Sequence, residues 1–209
     1  MSEISKFSCI LKTPEEMLGF AAELAGLCKT GDSILLYGDV GVGKTTFARG
    51  FIQAIAKTRE EIVSPTFTLV QTYPLMNGGM VWHCDLYRLK NQNELIELGL
   101  DEAFDNAIVL IEWPEIAASQ FPHNSLSVRL DIRTCLESRS GEARTAVFEN
   151  RTASVHSSTC GVEAQKTLFT ASQSRDSKQV LIGQGRSVII TGDSEFWNDR
   201  LVKLEQWKI

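Results

Sequence analysis

The sequence is short of several things, and each shortage excludes a class of protein. No apolar run approaches the roughly 20 residues that a membrane-spanning helix needs. The opening residues Met1-Ser2-Glu3-Ile4-Ser5-Lys6 lack the charged-then-apolar pattern of a secretion signal, so a cytoplasmic protein is expected. The five cysteines, at positions 9, 28, 84, 135 and 160, include no CxxC pair, and an odd number closes no disulfide framework. There is no excess of positive charge either: 21 Lys and Arg stand against 26 Asp and Glu. The deficit is uneven, with residues 1–150 at net −7 and residues 151–209 at net +2. An acidic main domain does not hold a phosphate backbone by counterion release alone, so no DNA binding is expected and any contact with nucleic acid should be local or should run through a partner. Internal repeats are absent.

What remains is a soluble-looking composition, 43% apolar and 22% charged, over 209 residues. That suits one domain with an appendage. Thr13-Pro14-Glu15-Glu16 combines an N-cap Thr, a Pro at the first helical position and a capping-box Glu. Met17, Phe20, Ala21, Leu24 and Leu27 continue at helical spacing, and Gly31 closes the segment. Ile34–Tyr37 reads as a buried strand, followed by a glycine-rich turn and a second helix with Phe47, Phe51 and Ile55 on one face. Further strands are expected at Phe67–Val70, Val81–Leu86 and Ile108–Glu112, with a helix over Glu94–Leu98 ended by Gly99. Such alternation implies an α/β fold with a mostly parallel sheet flanked by helices. Leu126–Ile132 alternates as a half-exposed strand does, and with Ala143–Phe148 it reads as a hairpin finishing a domain of residues 1–150. Ten of the 26 residues from Thr152 to Ser177 are Ser or Thr, which marks 151–178 as a flexible linker. In the extension 179–209, Val180–Ile182 and Ser187–Ile190 read as a second hairpin. Phe196, Trp197, Leu201 and Leu204 line a short helix there. So short a piece cannot bury a core alone; it must dock on something or stay loose.

The chemistry concentrates in Gly38-Asp39-Val40-Gly41-Val42-Gly43-Lys44-Thr45, a full match to the phosphate-binding pattern GxxxxGK[ST] between a strand and a helix. Glycines let successive N–H groups turn inward around phosphate oxygens, and the helix N-terminus adds its dipole. Asp39, Val40, Gly41, Val42, Gly43, Lys44, Thr45 and Thr46 are therefore the expected cradle. Lys44 would reach the β- and γ-phosphates, and the Thr45 hydroxyl would ligate Mg²⁺. The alternative is an ordinary glycine-rich turn. Glu112, where the apolar strand 107–111 exits, suits a second Mg²⁺ or water-orienting group, against the plainer reading of a solvated strand end. Asp85 lies in an otherwise apolar strand, where a carboxylate is costly unless it joins the site or pairs with Arg88. His83 and Cys84 beside it suggest zinc only weakly. Ser64-Pro65-Thr66-Phe67-Thr68 can be a γ-phosphate-sensing switch or a Ser-Pro turn feeding a strand.

GDVGVGKTTFARGF (38–51), SPTFTLV (64–70), HCDLYRL (83–89), ELGLDE (97–102) and IEWPE (111–115) resemble, in order and spacing, the TsaE (YjeE) family, over about residues 7–150. The resemblance implies a P-loop ATPase required for N6-threonylcarbamoyladenosine at position 37 of tRNAs reading ANN codons. It implies action with TsaB and TsaD, with tRNA met only through that complex and no membrane involved. ATP and Mg²⁺ are the implied cofactors. By position, Lys44, Thr45, Asp85 and Glu112 match the family's phosphate, metal and catalytic residues, Trp113 its tryptophan, and Thr13 the helix start near the base. Ser140-Gly141-Glu142-Ala143-Arg144 keeps one arginine, Arg144, of a GREAR-like stretch that approaches the nucleotide. Residues 151–209 have no counterpart in the minimal family. Two other readings compete: a kinase of a small molecule, with Arg129, Arg133, Arg139 and Arg144 as a lid, and a module that only holds nucleotide.

Overall fold

A computed structural model describes residues 3–56, 61–89, 93–137, 180–205 and 207. The chain divides into two units, residues 1–133 together with 184–209, and residues 134–183. Most of the second unit lies outside the described residues, as do the expected strand at 143–148 and the Ser/Thr-rich stretch 151–178.

Strands are β1 (Ile4–Leu11), β2 (Ser33–Tyr37), β3 (Val70–Pro74), β4 (Met80–Asp85), β5 (Ala107–Glu112), β6 (Leu126–Glu137) and β7 (Val180–Asp193). Helices are α1 (Pro14–Leu27), α2 (Lys44–Ile55), α3 (Asn93–Glu97), α4 (Leu100–Asn106) and α5 (Ser194–Leu204), with a 3₁₀ segment at Pro114–Gln120. The sheet has the order β1-β7-β6-β2-β5-β4-β3. Its centre is parallel, since β6, β5 and β2 pair in the same sense and β4 continues it beside β5. Both margins are antiparallel, β1 on β7 and β3 on β4. The mostly parallel α/β sheet expected from the alternation is therefore present.

Burial explains the layering. All six β5 residues are buried, as a strand covered on both faces requires. Residues Ile34, Leu36, Val81, Ile108 and Leu110 face one core with Phe20, Phe47 and Phe51 of α1 and α2. Leu35, Cys84, Val109 and Ile111 face the other, against Leu95, Leu100 and Phe104 of α3 and α4. Thr13 caps α1 as its sequence predicts, its hydroxyl oxygen accepting from the Glu16 N–H at 3.2 Å.

Three local expectations need correction, and one gains an element beside it. Phe67 is not in a strand: residues 66–68 turn, Leu69 takes a positive φ of 64°, and pairing begins only at Val70. The helix over Glu94–Leu98 does stop before Gly99, which at φ 70° then caps the start of α4, a helix too short and acidic to read from periodicity. The presumed hairpin over 180–190 is one 14-residue strand, β7. Phe196 is exposed, so only Trp197, Leu201 and Leu204 carry the buried face of α5.

The 184–209 segment is no appendage to its unit. Eight residue pairs bond β7 to β1, Ile4 to Leu11 opposite Asp193 to Arg186. Gly192 is required where α5 turns back over the sheet, because a Cβ there would stand 2.7 Å from the Trp197 ring and 2.8 Å from Leu126. Trp197 is fully buried and its indole N–H donates to the Asn124 carbonyl at 2.6 Å. Nearby, the Arg200 guanidinium pairs with buried Asp32, which also accepts from the Lys29 N–H at 2.7 Å. Trp197→Ala is therefore expected to cost about 3–5 kcal/mol, read as a lower urea midpoint with an unchanged slope. A midpoint equal to the wild type's would mean that α5 does not support the core.

Candidate functional site

The phosphate-type loop follows directly from β2. Gly38 sits at φ 134°, and a Cβ on it would lie 2.3 Å from the Leu130 carbonyl oxygen of β6, so no other residue fits. Gly41 and Gly43 also take positive φ, 76° and 113°. Gly43 leads into α2 with no side-chain cap, which leaves the first-turn N–H groups facing outward for an anion.

Lys44 opens that helix and is only 5% exposed. Its ammonium donates to the Asp39 carbonyl at 2.9 Å and to that of Gly38, and lies 3.5 Å from the centre of the Trp113 ring. Burial draws its pKa below the ordinary lysine value, while the carboxylates of Glu112, Glu115, Asp85 and Asp39 pull the other way. Trp113 reaches this position because its backbone is left-handed, φ 60°, immediately after β5. Tyr87 packs against it with ring centres 5.0 Å apart.

The two acids arrive from neighbouring strands. In the parallel register Asp85 of β4 stands opposite Glu112 of β5, both at the carboxyl ends of their strands. This is the crevice where open α/β sheets bind ligands. Glu112 is 2% exposed; one oxygen accepts from the Thr45 hydroxyl at 2.9 Å, the other is 2.8 Å from His83 Nε2. Asp85 accepts from the Thr66 hydroxyl at 2.7 Å and from the Tyr87 N–H at 3.0 Å. Thr66 in turn lies 2.7 Å from the Ser64 hydroxyl. The weighed ion pair with Arg88 is not formed, for that guanidinium lies over the Phe67 ring at 4.3 Å.

Val40, Gly41, Gly43, Lys44, Thr45, Thr46, Thr66, Asp85, Tyr87, Glu112 and Trp113 line one cleft of about 400 Å³. Most residues expected from the motif thus meet there. Asp39 enters through its carbonyl, and Val42 is buried as support. Thr13 caps α1 and is not among the lining residues, and Arg144 lies outside the described residues. Sequence reasoning missed the bond from His83 to Glu112 and the place of Tyr87. A signal for the first existed: His83 and Asp85 are two apart in one strand and so share a face.

The donors fit Mg²⁺. Thr45, Asp85 and Glu112 offer only oxygens, and Mg²⁺ characteristically takes one or two carboxylates plus substrate phosphates rather than a full protein cage. Zinc fits poorly. Among the described residues no three His, Cys, Asp or Glu converge as a metal site, and burial holds the Cys84 thiol far above its ordinary pKa. A kinase lid finds no support in two of its proposed arginines: Arg129 lies over Tyr37 at 5.2 Å and Arg133 bonds to Ser187 at 3.2 Å. A larger hollow of about 630 Å³, between the starts of β1 and α5, shares no residue with the cleft and is lined by Glu3, Asp193 and Glu195.

Known proteins resemble this chain in sequence and in fold. Residues 11–140 match the family model described as threonylcarbamoyl adenosine biosynthesis protein TsaE. The tRNA threonylcarbamoyladenosine biosynthesis protein TsaE of Rickettsia bellii is 43% identical over 123 residues, 59% of this chain and 85% of that one. The protein of the same name from Bacillus subtilis is 39% identical over 118 residues, 55% of this chain and 71% of its own. The crystal structure of YdiB from Bacillus subtilis superposes over 99% of this chain and 98% of its own, with a TM-score of 0.61 and 22% identity, a likeness of fold. Among the described residues no helix is long and apolar enough to cross a membrane.

Proposed function

The chain belongs to the TsaE family, whose role is in tRNA threonylcarbamoyladenosine biosynthesis, and we propose that it serves there as a slow, Mg²⁺-dependent ATPase acting with TsaB and TsaD. The observation that carries this reading is the meeting of Lys44 and Thr45 with Asp85 and Glu112 in one cleft at the strand ends. In this reading the loop N–H groups and Lys44 hold the β- and γ-phosphates. Thr45, Glu112 and Asp85 hold Mg²⁺ directly or through water. Bound Mg²⁺ neutralises charge that builds on the phosphate oxygens during transfer. Thr66, tied to Asp85, couples the 64–68 segment to the γ-phosphate position. Modification of adenosine 37 then takes place in the cytoplasm on TsaD with TsaB, tRNA being met only through that complex.

Turnover by the isolated protein is slow in this account. The described residues lining the cleft include neither an Arg nor a Gln, and a supplied arginine alone is worth roughly 10³–10⁵ in such reactions. Phosphate release from ATP should be low for the protein alone, rise when TsaB–TsaD is added, and stay low in Glu112→Ala. Fast turnover indifferent to the partners would refute the switch. Phosphate appearing on a small acceptor instead would favour a kinase.

A further inference from the structure

His83 is an expensive choice for its position. It lies in β4, paired opposite Leu110 of β5, and is wholly buried beneath the sheet face covered by α1 and α2. Only one of its two ring nitrogens is satisfied. Nε2 is 2.8 Å from Glu112 Oε1, while Nδ1 is buried without a hydrogen-bond partner. A phenyl ring would fill similar space without stranding a polar atom, so packing does not explain the imidazole. With a carboxylate as acceptor, Nε2 carries the hydrogen.

The consequence falls on Glu112. A glutamate at a strand end has three rotatable side-chain bonds, and its two oxygens can face several ways. Here one oxygen is fixed from within the sheet by His83, and the other is turned toward the Thr45 hydroxyl. We infer that His83 is a positioning residue: its Nε2–H clamps one oxygen of Glu112 so that the other faces the metal side of the cleft beside Thr45. Outer partners of this kind orient carboxylate and imidazole ligands, and their loss typically costs about 10- to 100-fold in metal affinity or activity. The inference rests on reading the cleft as a Mg²⁺-nucleotide site.

Two amide variants of the full chain separate clamping from packing. His83→Gln can place an N–H near the Nε2 position, whereas the shorter side chain in His83→Asn cannot reach Glu112. Both are polar, and a merely structural role for His83 would penalise both alike. The readouts are the affinity for a methylanthraniloyl-labelled ATP in EDTA and in Mg²⁺, and kcat and KM for ATP hydrolysis. Expected for His83→Asn is an unchanged affinity in EDTA, a loss of about 10- to 100-fold in the tightening conferred by Mg²⁺, and a matching fall in kcat. His83→Gln should keep most of both. Wild-type Mg²⁺ dependence in His83→Asn, or equal losses in the two variants, would overturn the clamp while leaving the ATPase reading intact. A wild-type chain that binds the labelled nucleotide in neither buffer would instead overturn the reading of the cleft, and the clamp with it.

Discussion

Lys44→Ala is expected to remove productive ATP binding while leaving the fold in place. The ammonium is buried and desolvated, held by the Gly38 and Asp39 carbonyls and the Trp113 face. That setting disfavours its charge, as its lowered pKa records. A polyphosphate would reverse the balance by adding a full counter-charge in direct contact, where the ammonium now touches only two carbonyls and a ring face. Truncating one partner of a buried, hydrogen-bonded charge pair costs about 2–5 kcal/mol, or about 30- to several-thousand-fold in affinity. Titration with labelled ATP should therefore show little or no binding, and added nucleotide should no longer raise the melting temperature. The free variant should melt near the wild type, because what is deleted is a desolvated cation. Retained binding within a few-fold of wild type would mean that phosphates are held elsewhere.

Glu112→Ala should behave differently, keeping the nucleotide affinity that the loop confers in EDTA but losing the tightening by Mg²⁺ and slowing hydrolysis by about 10²–10³-fold. Its carboxylate stands opposite Asp85 in register and touches Thr45, so it belongs to the reacting end of the cleft rather than to the loop that grips phosphate. Alanine also strands His83, whose one hydrogen bond goes to Glu112. An unsatisfied buried group costs about 1–3 kcal/mol, so a lower melting temperature accompanies the loss. Glu112→Gln keeps an oxygen for His83 and an amide beside Thr45, and should restore the stability without the rate. Single-turnover hydrolysis of radiolabelled ATP separates the two effects. Equal rates in wild type and both variants would remove Glu112 from the chemistry.

The sequence carried the cleft better than the sheet around it. The loop, its strand and its helix could be read because local chemistry dictates each: Gly38 by its place in the glycine pattern before Lys44, Thr13 by its cap, β5 by an unbroken apolar run into an acid. Asp85 could be suspected because a carboxylate in an apolar strand demands a reason. What escaped was decided by residues far apart. Strand pairing is not encoded in alternation, so nothing in 180–193 announced that it would lie between β1 and β6. The glycines at 183 and 185 suggested a turn where the chain runs straight on. Likewise the Phe67–Val70 expectation failed on the turn at 66–68 and the positive φ of Leu69, which no apolar pattern reveals. His83 escaped for the same reason as β7: its partner is 29 positions away and on another strand.

The insertion of β7 between β1 and β6 also sets an order of events during synthesis. β1 leaves the ribosome before the other described strands, yet its sole sheet neighbour among them is β7, whose residues emerge some 180 positions later. Until then β1 has no strand to join, and β6 carries one open edge beside a sheet that β2 to β5 can already form. Such non-local closure is slow, and open edges invite pairing with other chains. A nascent or shortened chain that stops before β7 would therefore hold an assembled nucleotide loop beside an unfinished margin. Its fate would depend on how soon something else, a chaperone or another nascent strand, takes the vacant place.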